Sequence, residues 1–318
     1  MLTRTKSGNA LVCDDLHFSY GFKSILSGIN LRIPAGAVVG LIGANGAGKS
    51  SLLRCMAGLA VPHQGEVRLF DVPAMQIDDA LRERLGFVAQ APDLFPWMSV
   101  ENHIKFIGQA YPKWRERRAL ELALRLRLPM GREVSQLSGG DQQKLAVVLA
   151  LAHQPDLILL DEPVSNLDPM TRRDFMRSLF HNGQSMFAPD IDDEPDALDT
   201  LDAPITLNYA PTIIISSHLL SDLEHVVSHV AFMRAGEIQL FEEWDTVLDN
   251  LRLVPRSAVA LPAAMCVASN SQHHIIDLRS VAGSRAPSNA VSEQQQQQIH
   301  THAKPISSLD ELFVALNS

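Results

Sequence analysis

Long apolar runs are missing from this sequence. The longest, such as Leu145 to Ala152 and Leu157 to Leu160, fall far short of the roughly 20 residues needed to cross a bilayer. The stretch Leu2 to Asn9 after Met1 is polar and lacks the apolar core of a signal peptide. Cysteine is scarce: Cys13, Cys55 and Cys266 lie far apart and form no CxxC. That excludes a disulfide framework and a zinc spacing, and it fits a reducing cytosol. A basic excess is also missing, because 27 Lys and Arg stand against 36 Asp and Glu, for a net charge of −9. The balance argues against non-specific binding to nucleic acid or to an anionic bilayer. The expectation is a soluble protein whose membrane role would need a separate partner chain.

What is present is a globular composition, 46% hydrophobic and 20% charged over 318 residues, on a length that suggests about two domains. Leu11 to His17, Ile29 to Ile33, Gly65 to Phe70 and Leu85 to Ala89 read as short strands. Ala37 to Ile42, Leu157 to Leu160 and Thr212 to Ser216 are continuous apolar runs of the kind buried on both faces of a sheet. Lys49 to Ala57 reads as a helix with Gly58 at its C-cap. Val100 to Leu128 reads as helical with breaks at Pro112 and Pro129, and another helix starts after Ser138. The arginine- and leucine-rich run Arg115 to Arg127 reads as a solvated amphipathic face rather than a nucleic-acid site. Val230 to Met233 and Glu237 to Phe241 form a hairpin turning at Ala235-Gly236. Strands alternating with helices predict an α/β fold with a mainly parallel sheet.

Two segments differ in composition. Gly183 to Ala210 is acidic, contains no Lys or Arg, and reads as a loop insertion. Ala282 to Ala303, with Gln294 to Gln298, reads as a disordered linker before a short amphipathic helix at Ser308 to Leu316. His273-His274 and His300-Thr301-His302 read as solvated loop histidines rather than metal ligands.

Gly43-Ala44-Asn45-Gly46-Ala47-Gly48-Lys49-Ser50 fits GxxxxGK[ST] in full, between a buried strand and a helix. Such glycines let backbone N–H groups surround phosphates, and the helix N-terminus adds partial positive charge. Lys49 is placed to reach the β- and γ-phosphates, and Ser50 to offer its hydroxyl to Mg²⁺. Ser51 follows in the same turn and joins the nucleotide-binding set. A second station, Leu157 to Pro163, delivers Asp161 and Glu162 at the C-terminal end of a buried strand, where ligands bind in parallel sheets. Asp161 is the expected Mg²⁺ residue and Glu162 the expected general base.

Between them, Leu137-Ser138-Gly139-Gly140-Asp141-Gln142-Gln143-Lys144 resembles the signature of ATP-binding-cassette ATPases. Ser138 and Asp141 also suit an ordinary capped helix start. Other stations follow the family's order: Gln90 matches the Q-loop, Ser165-Asn166-Leu167-Asp168 the D-loop, and His218 the switch histidine. Tyr20 matches the aromatic that stacks on adenine. The resemblance covers roughly residues 10 to 245. It implies a nucleotide-binding domain over 1–245, with an antiparallel β subdomain, a helical subdomain at about 92–153 and the acidic insertion at about 183–210. A C-terminal extension occupies 246–318. It further implies Glu162, His218 and Gln90 in catalysis, with Ser50, Gln90 and Asp161 on Mg²⁺. ATP would contact Tyr20, Gly43, Asn45, Gly46, Ala47, Gly48, Lys49, Ser50, Ser51, Ser138, Gly139, Gly140 and Asp168.

The chain departs from the pattern at Asp141, where the family usually has glutamine, and in its acidic insertion. Tyr111-Pro112-Lys113-Trp114, the Asp141 variant and Ala146 to Pro155 resemble single-domain ATPases of drug- and antibiotic-type exporters. The implied partners are a transmembrane permease and a second cassette in a homo- or heterodimer, with no nucleic acid. The implied location is the cytoplasmic face of a membrane, held there by that permease. Asp93 to Tyr111 is the expected permease seat, with Phe95, Pro96 and Trp97 in an exposed loop. The alternative is a soluble cassette ATPase that drives a ribosome, a DNA-repair complex or a cluster-assembly scaffold.

Overall fold

The computed structural model describes residues 8–165, 167–180, 211–218, 220–259, 261, 266–269, 272–279, 299 and 301–317. The acidic segment 183–210, Gln294 to Gln298, Asn166 and His300 lie outside the described residues.

The chain opens with a long hairpin, β1 (Asn9–Tyr20) and β2 (Lys23–Pro34), each strand running past the short cores expected from hydrophobicity. Backbone pairing carries the two strands beyond those cores, from Asn9 opposite Pro34 to Tyr20 opposite Lys23. On the outer face Asp14 of β1 pairs with Arg32 of β2 at 3.0 Å and with Arg68 at 2.7 Å, exposed contacts that add little beside the packed inner face. After β3 (Val38–Ile42) and helix α1 (Lys49–Met56), strands β4 (Gln64–Leu69) and β5 (Val72–Pro73) complete an antiparallel sheet of order β2-β1-β4-β5.

Then come α2 (Asp79–Arg82), β6 (Leu85–Val88), α3 (Val100–Gly108), α4 (Glu116–Arg125) and α5 (Gly139–Leu151). The helical stretch read from Val100 to Leu128 thus divides into α3 and α4. Between them, Trp114 packs within 2.5 Å of where a Cβ on Gly108 would lie. On α4, Arg118, Ala119, Leu122 and Ala123 are buried, and the other face is solvated.

Strand β7 (Leu157–Asp161), helix α6 (Pro169–Phe180), β8 (Thr212–Ser217), β9 (His229–Arg234) and β10 (Glu237–Glu243) finish the central sheet, of order β10-β9-β3-β8-β7-β6. All its neighbours are parallel except β9 and β10, which turn back at Ala235 (φ 49°) and Gly236 (φ 83°). Successive side chains along a strand face opposite ways, so each apolar run feeds two cores. Leu157, Leu159, Ile214 and Met233 join α1 and the antiparallel sheet, whereas Ile158, Leu160, Ile213, Ile215 and Phe232 join the core of α5 and α6.

Past α7 (Trp244–Asn250), strands β11 (Leu251–Pro255), β12 (Cys266–Ser269), β13 (His273–Asp277) and β14 (Lys304–Pro305) form a small antiparallel sheet of order β12-β13-β11-β14. Helix α8 (Leu309–Asn317) returns to the main core, where Leu309, Leu312, Ala315 and Leu316 are buried. Arg234 donates to the Leu316 carbonyl at 2.9 Å. His273 and His274 are strand residues, not loop residues. His274 is buried, its Nδ1 lying 2.8 Å from Ser269 Oγ and 3.3 Å from Cys266 Sγ, so cross-strand packing overrides the polar local sequence. Among the described residues, no helix is long and apolar enough to cross a membrane.

Candidate functional site

The glycine-rich loop sits where β3 ends. A Cβ on Gly43 would lie 2.4 Å from the Met233 carbonyl oxygen, so only glycine lets the loop pass under the β9–β10 turn. Gly48, at φ 108°, is in a conformation that side chains rarely adopt, and a Cβ there would meet Leu26 and Met233 at 3.0 and 2.9 Å. Gly48 is also the N-cap of α1, and no side chain caps that helix. The first-turn N–H groups of Lys49, Ser50 and Ser51 therefore lack the partner a capping residue would give them. The Ala47 carbonyl accepts from Gly236 N–H at 3.0 Å, pinning the loop to the β9–β10 turn.

Lys49 is buried, and its Nζ donates to the Gly43 and Ala44 carbonyls at 2.8 and 3.3 Å. Glu162 Oε1 lies 3.7 Å away. Burial holds the Lys49 ammonium below the usual lysine range, while Glu162 and Asp161 oppose that shift.

Asp161 ends β7, and Glu162 follows at φ 49°, in the left-handed region. Its N–H donates to Ser216 Oγ at 2.9 Å and to the Ser216 carbonyl at 3.2 Å. Ser216 Oγ in turn donates to Asp161 Oδ1 at 2.7 Å. His218 follows β8 and brings Nδ1 to 2.6 Å from Glu162 Oε2. Three strand ends, β3, β7 and β8, thus converge on one cluster at the C-terminal edge of the parallel sheet.

A cleft of about 310 Å³ opens over this cluster. Asn45, Gly46, Gly48, Lys49, Ser50 and Ser51 line it together with Gln90, Glu162, Lys23 and Ile25. The expected loop, Gln90, Asp161, Glu162 and His218 are brought together, with Gly43 and Ala47 supporting the loop from beneath. The oxygens of Ser50, Gln90 and Asp161 are hard donors, the class that suits magnesium. The chemistry of the donor set and the uncapped helix start fit a magnesium–polyphosphate ligand.

Other expected residues stand apart. Ser138, Gly139 and Gly140 do not line this cleft; they start α5, where Ser138 Oγ accepts from Asp141 N–H at 3.1 Å and donates to Asp141 Oδ2 at 2.9 Å. Asp168 caps α6, accepting from Met170 and Thr171 N–H at 3.1 Å. Hydrogen bonding to Thr171 holds its carboxyl below the usual range. Tyr20 is half exposed at the end of β1, edge-on to Phe18 at 4.8 Å.

Sequence reasoning missed Ser216, whose only signal is a polar residue in an isoleucine run. It also missed a larger groove of about 680 Å³ on the other side of the Gln90 segment. Leu59, Met75, Leu94, Ile107 and Leu149 help to line it. Also in its lining, His153 stacks on Tyr111 at 4.5 Å, 22° from coplanar.

Comparison with known proteins agrees with this geometry. Residues 26–165 match the family model described as "ABC transporter". The aliphatic sulfonates import ATP-binding protein SsuB of Escherichia coli O6:H1 (strain CFT073) is 30% identical over 239 residues, covering 74% of this chain and 82% of that protein. The chain belongs to the ATP-binding-cassette family of transporter ATPases. The cassette is also similar to the bacitracin transport ATP-binding protein BcrA of Enterococcus faecalis, 28% identical over 231 residues, covering 71% of this chain and 66% of the relative. A solved structure described as the ATP-binding subunit of an ABC transporter shares its fold, with a TM-score of 0.61 at 23% identity over 75% of this chain and 91% of that one. The chain spans 63% and 59% of the length of the first two curated relatives it matches.

Proposed function

We propose that this cassette binds and hydrolyses Mg-ATP to drive a separate membrane-spanning permease, and that the transport it powers is export. The observation that carries the reading is the convergence of Lys49, Asp161, Glu162 and His218 beneath an uncapped helix start.

In this reading the loop N–H groups and Lys49 hold the β- and γ-phosphates, and burial of Lys49 strengthens that attraction by excluding water. Glu162 accepts the proton of the attacking water, and His218 orients Glu162 through their 2.6 Å contact. Ser50, Gln90 and Asp161 would hold magnesium, which when bound would supply charge neutralisation. Tyr20 stacks on the base. Ser138–Gly140 and Asp168 act on the nucleotide of a second copy or a companion cassette, since they lie outside this chain's own cleft. Two helix starts then share one γ-phosphate, and its loss on hydrolysis lets the two cassettes part.

The groove beyond Gln90 supports the permease assignment. The segment from Phe87 to Leu94 lines the groove on one side, while Gln90 within it lines the nucleotide cleft. A permease helix seated in the groove is thereby one residue away from the γ-phosphate sensor. Exposed Leu59 and Met75 in its lining supply apolar area for it. Export is supported by the likeness to BcrA and by the Tyr111-Pro112-Lys113-Trp114 text. On this reading residues 1–245 are the nucleotide-binding domain and 246–318 an accessory extension.

The test is Glu162→Gln. Nucleotide affinity should stay near that of the unsubstituted chain while turnover falls about 10²–10⁴-fold, the range for a lost general base. Near-normal turnover in a phosphate-release assay removes Glu162 from that role. A permease that co-purifies from membranes with the Glu162→Gln form, identified by mass spectrometry, is the expected partner result.

A further inference from the structure

We propose that Ser216 is a positioning residue for hydrolysis, fixing the Asp161 carboxylate and the Glu162 backbone through one hydroxyl. The inference rests on the hydrolytic reading above and deepens it.

All six residues of β8 are buried, and Ile213, Ile214 and Ile215 precede Ser216. A branched apolar side chain would suit the next position of such a strand better than serine does. The fold therefore gives no reason for a hydroxyl at a residue with 0% exposure. The bonds do. In the parallel pairing of β7 and β8, Ser216 stands opposite Asp161. Its hydroxyl spends its single proton on Asp161 Oδ1 at 2.7 Å and accepts Glu162 N–H at 2.9 Å. Both lengths are the usual ones for well-formed bonds of their type.

Two consequences follow for the site. Tying Oδ1 fixes the rotation of the Asp161 carboxylate, as outer-shell partners do for ligating groups in general, so the carboxylate would be held ready for a magnesium ion. Capturing the Glu162 amide stabilises a residue at φ 49°, a conformation that a glutamate adopts only when its surroundings enforce it. That turn is what aims the Glu162 side chain at His218 Nδ1 and Lys49 Nζ. Ser216 touches no substrate in this scheme. It acts through the two residues that do.

The test compares Ser216→Ala, Ser216→Thr and Ser216→Cys in the full chain, each in a Glu162→Gln background so that nucleotide persists. The readout is the equilibrium affinity of the fluorescent analogue mant-ATP, with magnesium and with EDTA. Ser216→Ala should leave the EDTA affinity within about twofold and cut the gain from magnesium about tenfold, the lower end of outer-shell effects on metal affinity. Ser216→Thr, which keeps the hydroxyl, should retain the gain. Ser216→Cys, close in volume with a weaker donor, should fall between and stands in if threonine lowers the melting temperature.

A magnesium gain within twofold of the parent in Ser216→Ala overturns the inference. So does an equal loss in the alanine, threonine and cysteine variants, which would make Ser216 a packing residue. If Ser216→Ala is silent while Glu162→Gln still stops turnover, this inference alone fails. If the parent shows no gain from magnesium at all, the hydrolytic reading fails and takes this one with it.

Discussion

Two helix starts in this molecule carry glycine-rich sequences, and they are finished in opposite ways. At α1 the N-cap is Gly48, which offers no side chain, and the loop before it is held open by its fit under the β9–β10 turn. At α5 the N-cap is Ser138, and the start is closed on itself: Asp141 N–H and carboxylate both bond the Ser138 hydroxyl, and Lys144 holds the other carboxylate oxygen at 3.1 Å. Both starts have helix-dipole charge to offer an anion. On the proposed reading the first, which has no side-chain cap of its own, would take its partner from the ligand, and the second, already capped, would exchange one. The lesson is that a phosphate cradle is recognised by the missing cap as much as by the glycines present.

Removing each start's key side chain should separate the two roles most sharply. Lys49→Ala should weaken ATP binding by about 10- to 150-fold, since a hydrogen bond from a charged donor is worth roughly 1.5–3 kcal/mol. Ser138→Ala should leave the affinity of a single copy nearly unchanged and reduce turnover instead. Equal losses of affinity in the two variants, measured by titration calorimetry, would erase the distinction.

Acid should sharpen the comparison from the far end of α5. His153, just beyond that helix, has its pKa lowered by burial, with the Leu85 and Leu149 carbonyls and Glu83 opposing; burial also lowers His103 on α3. An imidazole whose folded pKa is depressed binds its proton more readily in the unfolded chain. Stability is therefore complete above the ordinary histidine value near 6.5 and is lost as pH falls below it towards the folded value. Amide exchange, corrected for intrinsic rate, should rise more in α5 than in α1 between pH 7 and pH 5.5. Equal protection in both helices would contradict the expectation.

The smallest effect belongs to Asp141→Asn. It removes a partly buried i,i+3 ion pair and a favourable charge in the first turn of α5, which together should cost about 1 kcal/mol. Chemical denaturation reads it. A cost several times larger would mean that the closed start of α5 carries much of the stability of that region.

What could be read in advance was whatever depends on local spacing. The phosphate loop needs its glycines, lysine and hydroxyl in one order because a strand, a turn and a helix must meet there, so sequence alone reveals it. The buried strands were legible because a sheet packed on both faces has no polar positions to spare. What escaped was non-local. Ser216 takes its meaning from Asp161, 55 residues earlier in the chain. The length of the β1–β2 hairpin comes from backbone pairing between its two strands, and the cross-strand contacts of His274 need β12 beside β13. The groove is made by α5, β6 and the Tyr111–His153 stack together, none of which announces a cavity on its own.

The most direct measurement of the central claim is sedimentation of the Glu162→Gln cassette with saturating magnesium and ATP, against the same protein with ADP. If one cassette's α1 and another's α5 share the γ-phosphate, ATP should drive the chain to a dimer, or to a heterodimer with its companion cassette, and ADP should leave it monomeric. A protein that binds ATP yet stays monomeric at high concentration, with no companion cassette to pair with, would contradict the account.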